Sequence, residues 1–186
     1  MGKKRSGHRL ILIILCIIVI WLVRVIYVNQ KYKSDTVYLE INKSINCGNI
    51  VIIPSEVKLL TTEEYEAYFG TKIDENTGVR QEDRLICLKF RVKNISDNEI
   101  DWNDVFGIYG EGFETLTWGS SCNPMLERKI NVVYDDMFAP GAEIELWRVS
   151  SVSRRIFEDK TWDKMSTSDF VFVFSLSPKI IKIRLK

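Results

Sequence analysis

The hydrophobic and polar positions of this chain fall into two regimes. Residues 10–28 are apolar except for Arg24, whereas the rest of the chain alternates short apolar runs with polar turns. A helix over 10–28, at about 1.5 Å per residue, extends about 28 Å, close to the roughly 30 Å hydrocarbon core of a bilayer. The pattern therefore predicts a single transmembrane helix at 10–28, a polar spacer at 29–36 and one extracytoplasmic domain at 37–186.

The basic residues before this span set its predicted orientation. Four of them lie in the tail at 1–9: Lys3, Lys4, Arg5 and Arg9. Because lysine and arginine are retained on the cytoplasmic side, we expect a cytoplasmic N-terminus and a domain outside the cell membrane. A cleaved signal peptide is the competing interpretation, but it needs small residues of the Ala-x-Ala type before the cut, and residues 24–33 contain none.

Arg24 is the one charged residue inside the predicted span. It lies about one turn from the outer end of 10–28, so its long side chain reaches the interface by snorkelling. The alternative is that Arg24 pairs with an acidic group on a partner helix.

Alternation of apolar and polar positions predicts several short strands after the span. The clearest is Arg84–Lys93, where Ile86, Leu88, Phe90 and Val92 share one face. Turn signals separate the other predicted strands, which lie at 37–41, 48–60, 105–109, 113–118, 142–149, 169–175 and 180–185. The strand at 48–60 contains Pro54, which cannot donate to a ladder and therefore indicates a bent or edge strand.

One short helix is predicted directly after the strand at 48–60. Thr61 and Glu64 fit a capping box, and Gly70 suits the C-terminal cap. A weaker helical pattern covers 154–165. Seven to nine strands with one or two short helices predict a mainly β fold, an antiparallel β-sandwich.

Two turn motifs carry a resemblance to a known group of domains. Val92-Lys93-Asn94 ends a strand before a polar turn, and Pro140-Gly141 introduces a later strand. In these features residues 84–185 resemble small Ig-like extracytoplasmic domains of unknown function from membrane-anchored proteins and lipoproteins of Gram-positive bacteria. The resemblance implies an Ig-like sandwich in the cell envelope. It implies no catalytic or binding residues, because the group has no established activity.

Charge and histidine content exclude several functions. Residues 1–36 carry a net charge of +6, whereas residues 37–186 contain 19 basic and 24 acidic residues. Such a mildly acidic domain lacks the basic footprint of nucleic-acid binding, so we expect no nucleic-acid partner. The only histidine, His8, lies on the other side of the predicted membrane, which excludes histidine-assisted nucleophilic catalysis in the domain.

Cysteine and acidic motifs give no sign of a metal site. The domain has three cysteines: Cys47, Cys87 and Cys122. An odd number allows one disulfide or three free thiols, and both alternatives stay open. The cysteines are too far apart for a metal motif. Asp74-x-Asn76-x-Gly78 lacks the glycine and glutamate that a calcium loop requires later in its sequence. We therefore expect no metal and no cofactor.

Tryptophan beside carboxylates is the best candidate chemistry. Trp102 lies in a polar loop between Asp101 and Asp104, and Trp147 shares strand parity with Glu143 and Glu145. Exposed rings of this kind stack on sugars or bind a protein partner; the alternative is that each ring belongs to the core. We predict Trp102 and Trp147 as binding residues for an envelope protein or glycan.

The predicted function is a non-enzymatic, membrane-anchored binding module of the cell envelope, with its membrane contact at 10–28. One alternative is a carboxylate-based hydrolase of envelope polymers, which needs two carboxylates facing each other across a cleft. Its candidates are acidic neighbours, namely Asp101 and Asp104, Asp135 and Asp136, and Glu143 and Glu145. The other alternative is an accessory subunit of a membrane transporter or signalling complex.

Overall fold

A computed structural model describes residues 4–31, 36–101, 112–131, 137–175 and 179–186, with side chains from residue 13 onward. The chain divides into two compact units, Met1–Asp35 and Thr36–Lys186. The predicted strand at 105–109 lies outside the described residues.

The first unit contains helix α1, Lys4–Lys31. Its segment Ile13–Lys31 is long and apolar enough to cross a membrane, judged by length and composition, and none of it is buried. A signal sequence near an N-terminus has the same properties. The predicted span at 10–28 lies within this helix.

The second unit is a β-sandwich, as predicted. Its strands are β1 Thr36–Leu39, β2 Ile45–Cys47, β3 Ile50–Thr61, β4 Arg84–Asn94, β5 Ile100–Asp101, β6 Gly112–Glu114, β7 Gly119–Ser121, β8 Met137–Phe138, β9 Glu143–Val152, β10 Val171–Ser175 and β11 Ile180–Arg184. One sheet has the order β1-β11-β10-β6-β7 and the other the order β2-β3-β4-β9, while β5 pairs with β8. Among the described pairings only β1 with β11 is parallel.

The alternation in β4 builds the interior of the sandwich. Its predicted apolar face, Ile86 to Val92, is buried between the two sheets. There Phe90 packs edge-on against Phe172 of β10, with ring centroids 5.5 Å apart. The opposite face of β4 buries Leu85 and Cys87 in a second cluster. Strand β4 is thus covered on both faces along part of its length, and it pairs with β3 on one side and β9 on the other.

In the described part of the domain three short helices accompany the sheets: α2 Thr62–Phe69, α3 Pro124–Ile130 and α4 Asp159–Asp163. Helix α2 begins with the predicted capping box, in which the Glu64 N–H donates to Thr61 Oγ1 over 3.2 Å and the Thr61 N–H donates to Glu64 over 2.8 Å. It ends at Gly70, whose φ of 64° is left-handed. Helix α3 has no counterpart in the sequence-based prediction.

The predicted helix at 154–165 is wrong as one continuous element. Residues Arg154–Ile156 and Met165–Thr167 form 3-10 turns that flank the five-residue α4. Phe157 and Trp162 both pack against the core. A five-residue spacing puts two side chains on different faces of an α-helix, so the chain breaks between them.

The two motifs that carry the resemblance meet in the structure. Asn94 is fully buried, and its side-chain amide donates to the carbonyl oxygen of Phe138 over 2.8 Å. Its backbone N–H donates to Ala142 over 3.1 Å, and its carbonyl accepts from Gly141 over 3.0 Å. Gly141 has a φ of 73°, as the third residue of a type II turn requires. Asn94 therefore holds the Pro-Gly turn against the end of β4.

The predicted strand at 113–118 ends at Glu114. Residues 115–118 form a turn instead, in which the Thr115 N–H donates to the carbonyl oxygen of Trp118 over 2.7 Å. Strands β6 and β7, on either side of this turn, pair closely: a Cβ on Gly112 would lie 2.2 Å from the carbonyl oxygen of Ser120.

Strand β3 is irregular at Pro54. The register of β3 against β4 shifts between Pro54 and Glu56, so the strand bulges at the proline, in agreement with the predicted bend.

All four cysteines of the chain are free thiols. Of the two alternatives for the domain, the structure therefore has three free thiols.

Candidate binding surface

Trp147 lies under helix α2. Its side chain is only 8% exposed. Its indole contacts Phe69 and Tyr68 edge-on, with ring centroids 5.1 and 6.0 Å apart. Lys89 Nζ lies 5.5 Å from the centre of the same ring. Trp147 is thus a core residue, the alternative stated for it above, and it offers no exposed ring to a ligand.

The structure describes only some of the other residues predicted from the sequence. Trp102, Asp104, Asp135 and Asp136 lie outside the described residues. Glu143 and Glu145 are exposed and form ion pairs across the sheet, with Arg91 at 3.8 Å and Lys89 at 2.9 Å respectively. This last pair of carboxylates therefore faces basic side chains on an open strand surface rather than a cleft.

The loop at Asp74 is used structurally. Asp74 caps the 3-10 turn Glu75–Thr77, and its carboxylate accepts from Lys129 Nζ over 2.6 Å. The hydrogen bond from Lys129 lowers the pKa of Asp74. Within the described ranges, no group of three or more His, Cys, Asp or Glu side chains is close enough to hold a metal ion.

A cluster of aromatic rings covers one end of the sandwich. We call it the aromatic end; its members are Trp118, Phe157, Trp162 and Phe170. Ring centroids lie 6.4 Å apart for Trp118 and Phe157, 6.1 Å for Phe157 and Trp162, and 6.1 Å for Trp118 and Phe170. Phe170 is buried, whereas the other three rings are half-buried against the core. Each of the three therefore also contributes to the surface.

Local hydrogen bonds explain how Phe157 reaches this cluster. The backbone N–H of Arg154 donates to the buried carboxylate of Asp83 over 2.9 Å. Arg154 Nη1 donates to the carbonyl oxygen of Phe157 over 2.7 Å, and Nη2 pairs with Asp159. These contacts close the turn that follows β9 and direct the Phe157 ring inward.

Two guanidinium groups lie over the Trp162 ring. The Cζ atoms of Arg84 and Arg154 are 5.0 and 5.4 Å from its centroid, within the range of cation–π attraction. Arg154 is also paired with Asp159, whereas Arg84 has neither an ion pair nor a side-chain hydrogen bond with any residue that the structure describes. The following residue, Arg155, is exposed.

Exposed aliphatic groups complete this surface. Leu116 is fully exposed in the turn between β6 and β7, two residues before Trp118, and Ile156 is 61% exposed beside Phe157. Aromatic side chains and arginine are the residues enriched at protein–protein interfaces. The aromatic end therefore has the composition of an interaction surface.

Strand register gives the position of the aromatic end within the domain. Thr36, the first residue of the domain, pairs with Ile180 at the start of β11. Val171, next to Phe170, pairs with Arg184 at the end of β11. The aromatic end is thus opposite to the end where the chain enters the domain.

Sequence reasoning missed this surface. It selected Trp102 and Trp147 rather than Trp118 and Trp162, and it gave Arg84 only as the start of a strand. No spacing in the sequence links them, because they meet through the start of β4, the turn between β6 and β7, and α4. An Asn-Pro pair at 123–124, by contrast, is a usable N-terminal signal for α3.

A buried polar group lies elsewhere, where α3 covers the open edge of β9. Glu127 is 6% exposed; its carboxylate accepts from the Val149 N–H and from Arg148 Nη1, both over 3.0 Å. Asn131 pairs with the N–H and the carbonyl of Trp147 over 2.6 and 2.9 Å. These side chains replace a neighbouring strand, a common protection of sheet edges.

The thiol beside this group is not poised for chemistry. Burial raises the pKa of Cys122 to about 12, so it is protonated at neutral pH and a weak nucleophile. Burial also raises the pKa of Glu127, with Arg148 opposing that effect. The arrangement holds α3 on the sheet.

Comparison with known proteins supports the fold and carries no activity. No protein-family model matches the chain, and no curated protein does. A conserved hypothetical protein from Bacillus anthracis is similar in structure, with a TM-score of 0.51, 11% identity, and 80% of this chain and 95% of that chain covered. This likeness shows a shared fold alone.

Two further solved structures from Gram-positive bacteria are more distant. An uncharacterized β-sandwich protein from Clostridium difficile has a TM-score of 0.47 at 10% identity, covering 82% of this chain and 97% of its own. The yjhA protein from Bacillus subtilis has a TM-score of 0.40 at 10% identity, covering 80% of this chain and 99% of its own.

Proposed function

We propose that this protein is a non-enzymatic binding module of the cell envelope, anchored by α1, with a cytoplasmic N-terminus and an Ig-like sandwich outside the cell. The aromatic end is its recognition surface. The observation that carries the proposal is the fully exposed Leu116 at the same end of the sandwich as half-buried aromatic rings and arginines. Exposed apolar groups of this kind are buried when a partner binds.

Anchoring makes a small recognition surface sufficient. Confinement to a membrane raises the effective concentration of neighbouring envelope components, so a weak contact is occupied. The aromatic end lies opposite to the entry of the chain into the domain, so a partner bound there does not cover Thr36.

Site-specific crosslinking in intact cells tests this proposal. A photoreactive amino acid is placed at Leu116, and a matched control carries it at Lys93, an exposed residue at the other end of β4. We expect a discrete crosslinked species from position 116 and none from position 93. Equal crosslinking from both positions, or none from position 116, would contradict the proposal.

A further inference from the structure

The guanidinium group of Arg84 is held in place by a ring rather than by a carboxylate. It lies over Trp162 and has no acceptor among the residues that the structure describes. On the same strand Lys89 and Arg91 are both paired with carboxylates. Arg84 therefore differs from these two basic residues of β4, whose charges are used within the sheet.

Neighbouring carboxylates are already engaged. Asp83 is 3% exposed, and its two oxygens accept the backbone N–H groups of Arg80 and Arg154 over 3.1 and 2.9 Å. Asp159 pairs with Arg154. These two acidic groups, one next to Arg84 in sequence and the other paired with the second arginine over Trp162, thus both contact the turn after β9.

A stacked guanidinium is well suited to bind an anion. Stacking on an indole restricts the side chain in advance, so less conformational entropy is lost when a ligand binds. The edge of the group keeps its N–H donors in a planar fork that matches a carboxylate in bidentate geometry.

The neighbours of Arg84 distinguish between kinds of ligand. Sugar rings stack on open aromatic faces, but two arginines already lie over Trp162. The exposed apolar groups at this end, Leu116 and Ile156, are aliphatic and match the side chains of a protein. Charge and shape together favour an acidic polypeptide over an acidic glycan.

We propose that Arg84 binds a carboxylate of a protein partner, within an acidic segment whose adjacent apolar side chain packs on Leu116 and Ile156. This inference rests on the proposed function, since it names the partner chemistry of the same surface. It assigns Arg84 as the anchor of recognition, with Trp162 as the residue that holds it.

A peptide selection tests this assignment directly, because a random library contains acidic and non-acidic sequences alike. The full chain in lipid nanodiscs is presented with a library of random twelve-residue peptides, alongside the variants Arg84→Gln and Arg91→Gln. We expect the wild type and Arg91→Gln to enrich peptides with Asp or Glu next to an aliphatic residue. Arg84→Gln should bind those peptides about 10-fold more weakly or worse, the effect of losing a charged hydrogen bond.

Further arms keep the result interpretable. Thermal unfolding shows whether Arg84→Gln folds. If it does not, Arg84→Lys replaces it in the test. Lysine retains the charge but not the planar fork of donors, so we expect Arg84→Lys to bind acidic peptides with intermediate affinity. Acidic peptides enriched equally by Arg84→Gln would overturn the inference. Arg84-dependent binding of polygalacturonate without peptide enrichment would overturn it in favour of a glycan. Crosslinking at Leu116 in cells reports on the proposed function separately, since it does not depend on the charge of the partner.

Discussion

At the scale of single residues, the most consequential contact is the ion pair between Glu127 and Arg148. Their side chains are 7% and 11% exposed, so water screens the pair little. A buried pair adds little stability beyond an apolar replacement, but removing one member leaves an uncompensated charge, which costs about 3–5 kcal/mol. Glu127 is therefore more sensitive to substitution than any surface carboxylate of the described domain.

The variant Glu127→Ala tests this statement. Alanine removes the acceptor of both the Val149 N–H and Arg148 Nη1, so we expect the free energy of unfolding at pH 7 to fall by about 3 kcal/mol. The matched control is Glu143→Ala, whose exposed pair with Arg91 contributes under about 1 kcal/mol. Urea unfolding measures both, and equal losses would show that the Glu127 pair is not buried in solution.

At the scale of elements, the sequence predicted the helix whose signals lie close together in the chain and missed the one that depends on distant contacts. Helix α2 was found because Thr61, Glu64 and Gly70 encode both of its ends within ten positions. Helix α3 was missed, although Asn123 and Pro124 mark its start, because its seven residues carry little periodicity. Its stability comes from contacts with β9, which no local pattern contains.

Asn131 makes that tertiary contribution measurable. Asn131→Ala removes the partner of both the N–H and the carbonyl of Trp147 and leaves two backbone groups unsatisfied. We expect a loss of about 1–3 kcal/mol in the free energy of unfolding and faster hydrogen exchange at the Trp147 amide. Asn46→Ala, at an exposed position in β2, is the control. Unchanged exchange at Trp147 would mean that α3 does not cover the edge of β9.

At the scale of the whole molecule, the sequence predicted which segments form strands but not which surface they create. The alternation in β4 and the Pro-Gly turn are local, so the sandwich followed from them. The order of strands in each sheet and the positions of the β6–β7 turn and α4 are non-local, and together they bring Arg84, Trp118 and Trp162 to one end. Trp147 is an example of a residue whose surroundings the sequence did not predict. It lies on the strand face that the alternation predicts, but α2 covers that face.

The arrangement of the chain across a membrane is the prediction on which the proposed function depends most. With epitope tags at both termini, protease added to intact cells should remove the C-terminal tag and leave a protected N-terminal stub of about 35 residues, because a bilayer shields the apolar core of α1. A cytoplasmic protein that stays intact is the control for cell integrity. A C-terminal tag protected until the cells are permeabilised would reverse the orientation. A released domain without the N-terminal tag would identify α1 as a cleaved signal sequence, and tethering would then no longer explain how a weak recognition surface is occupied.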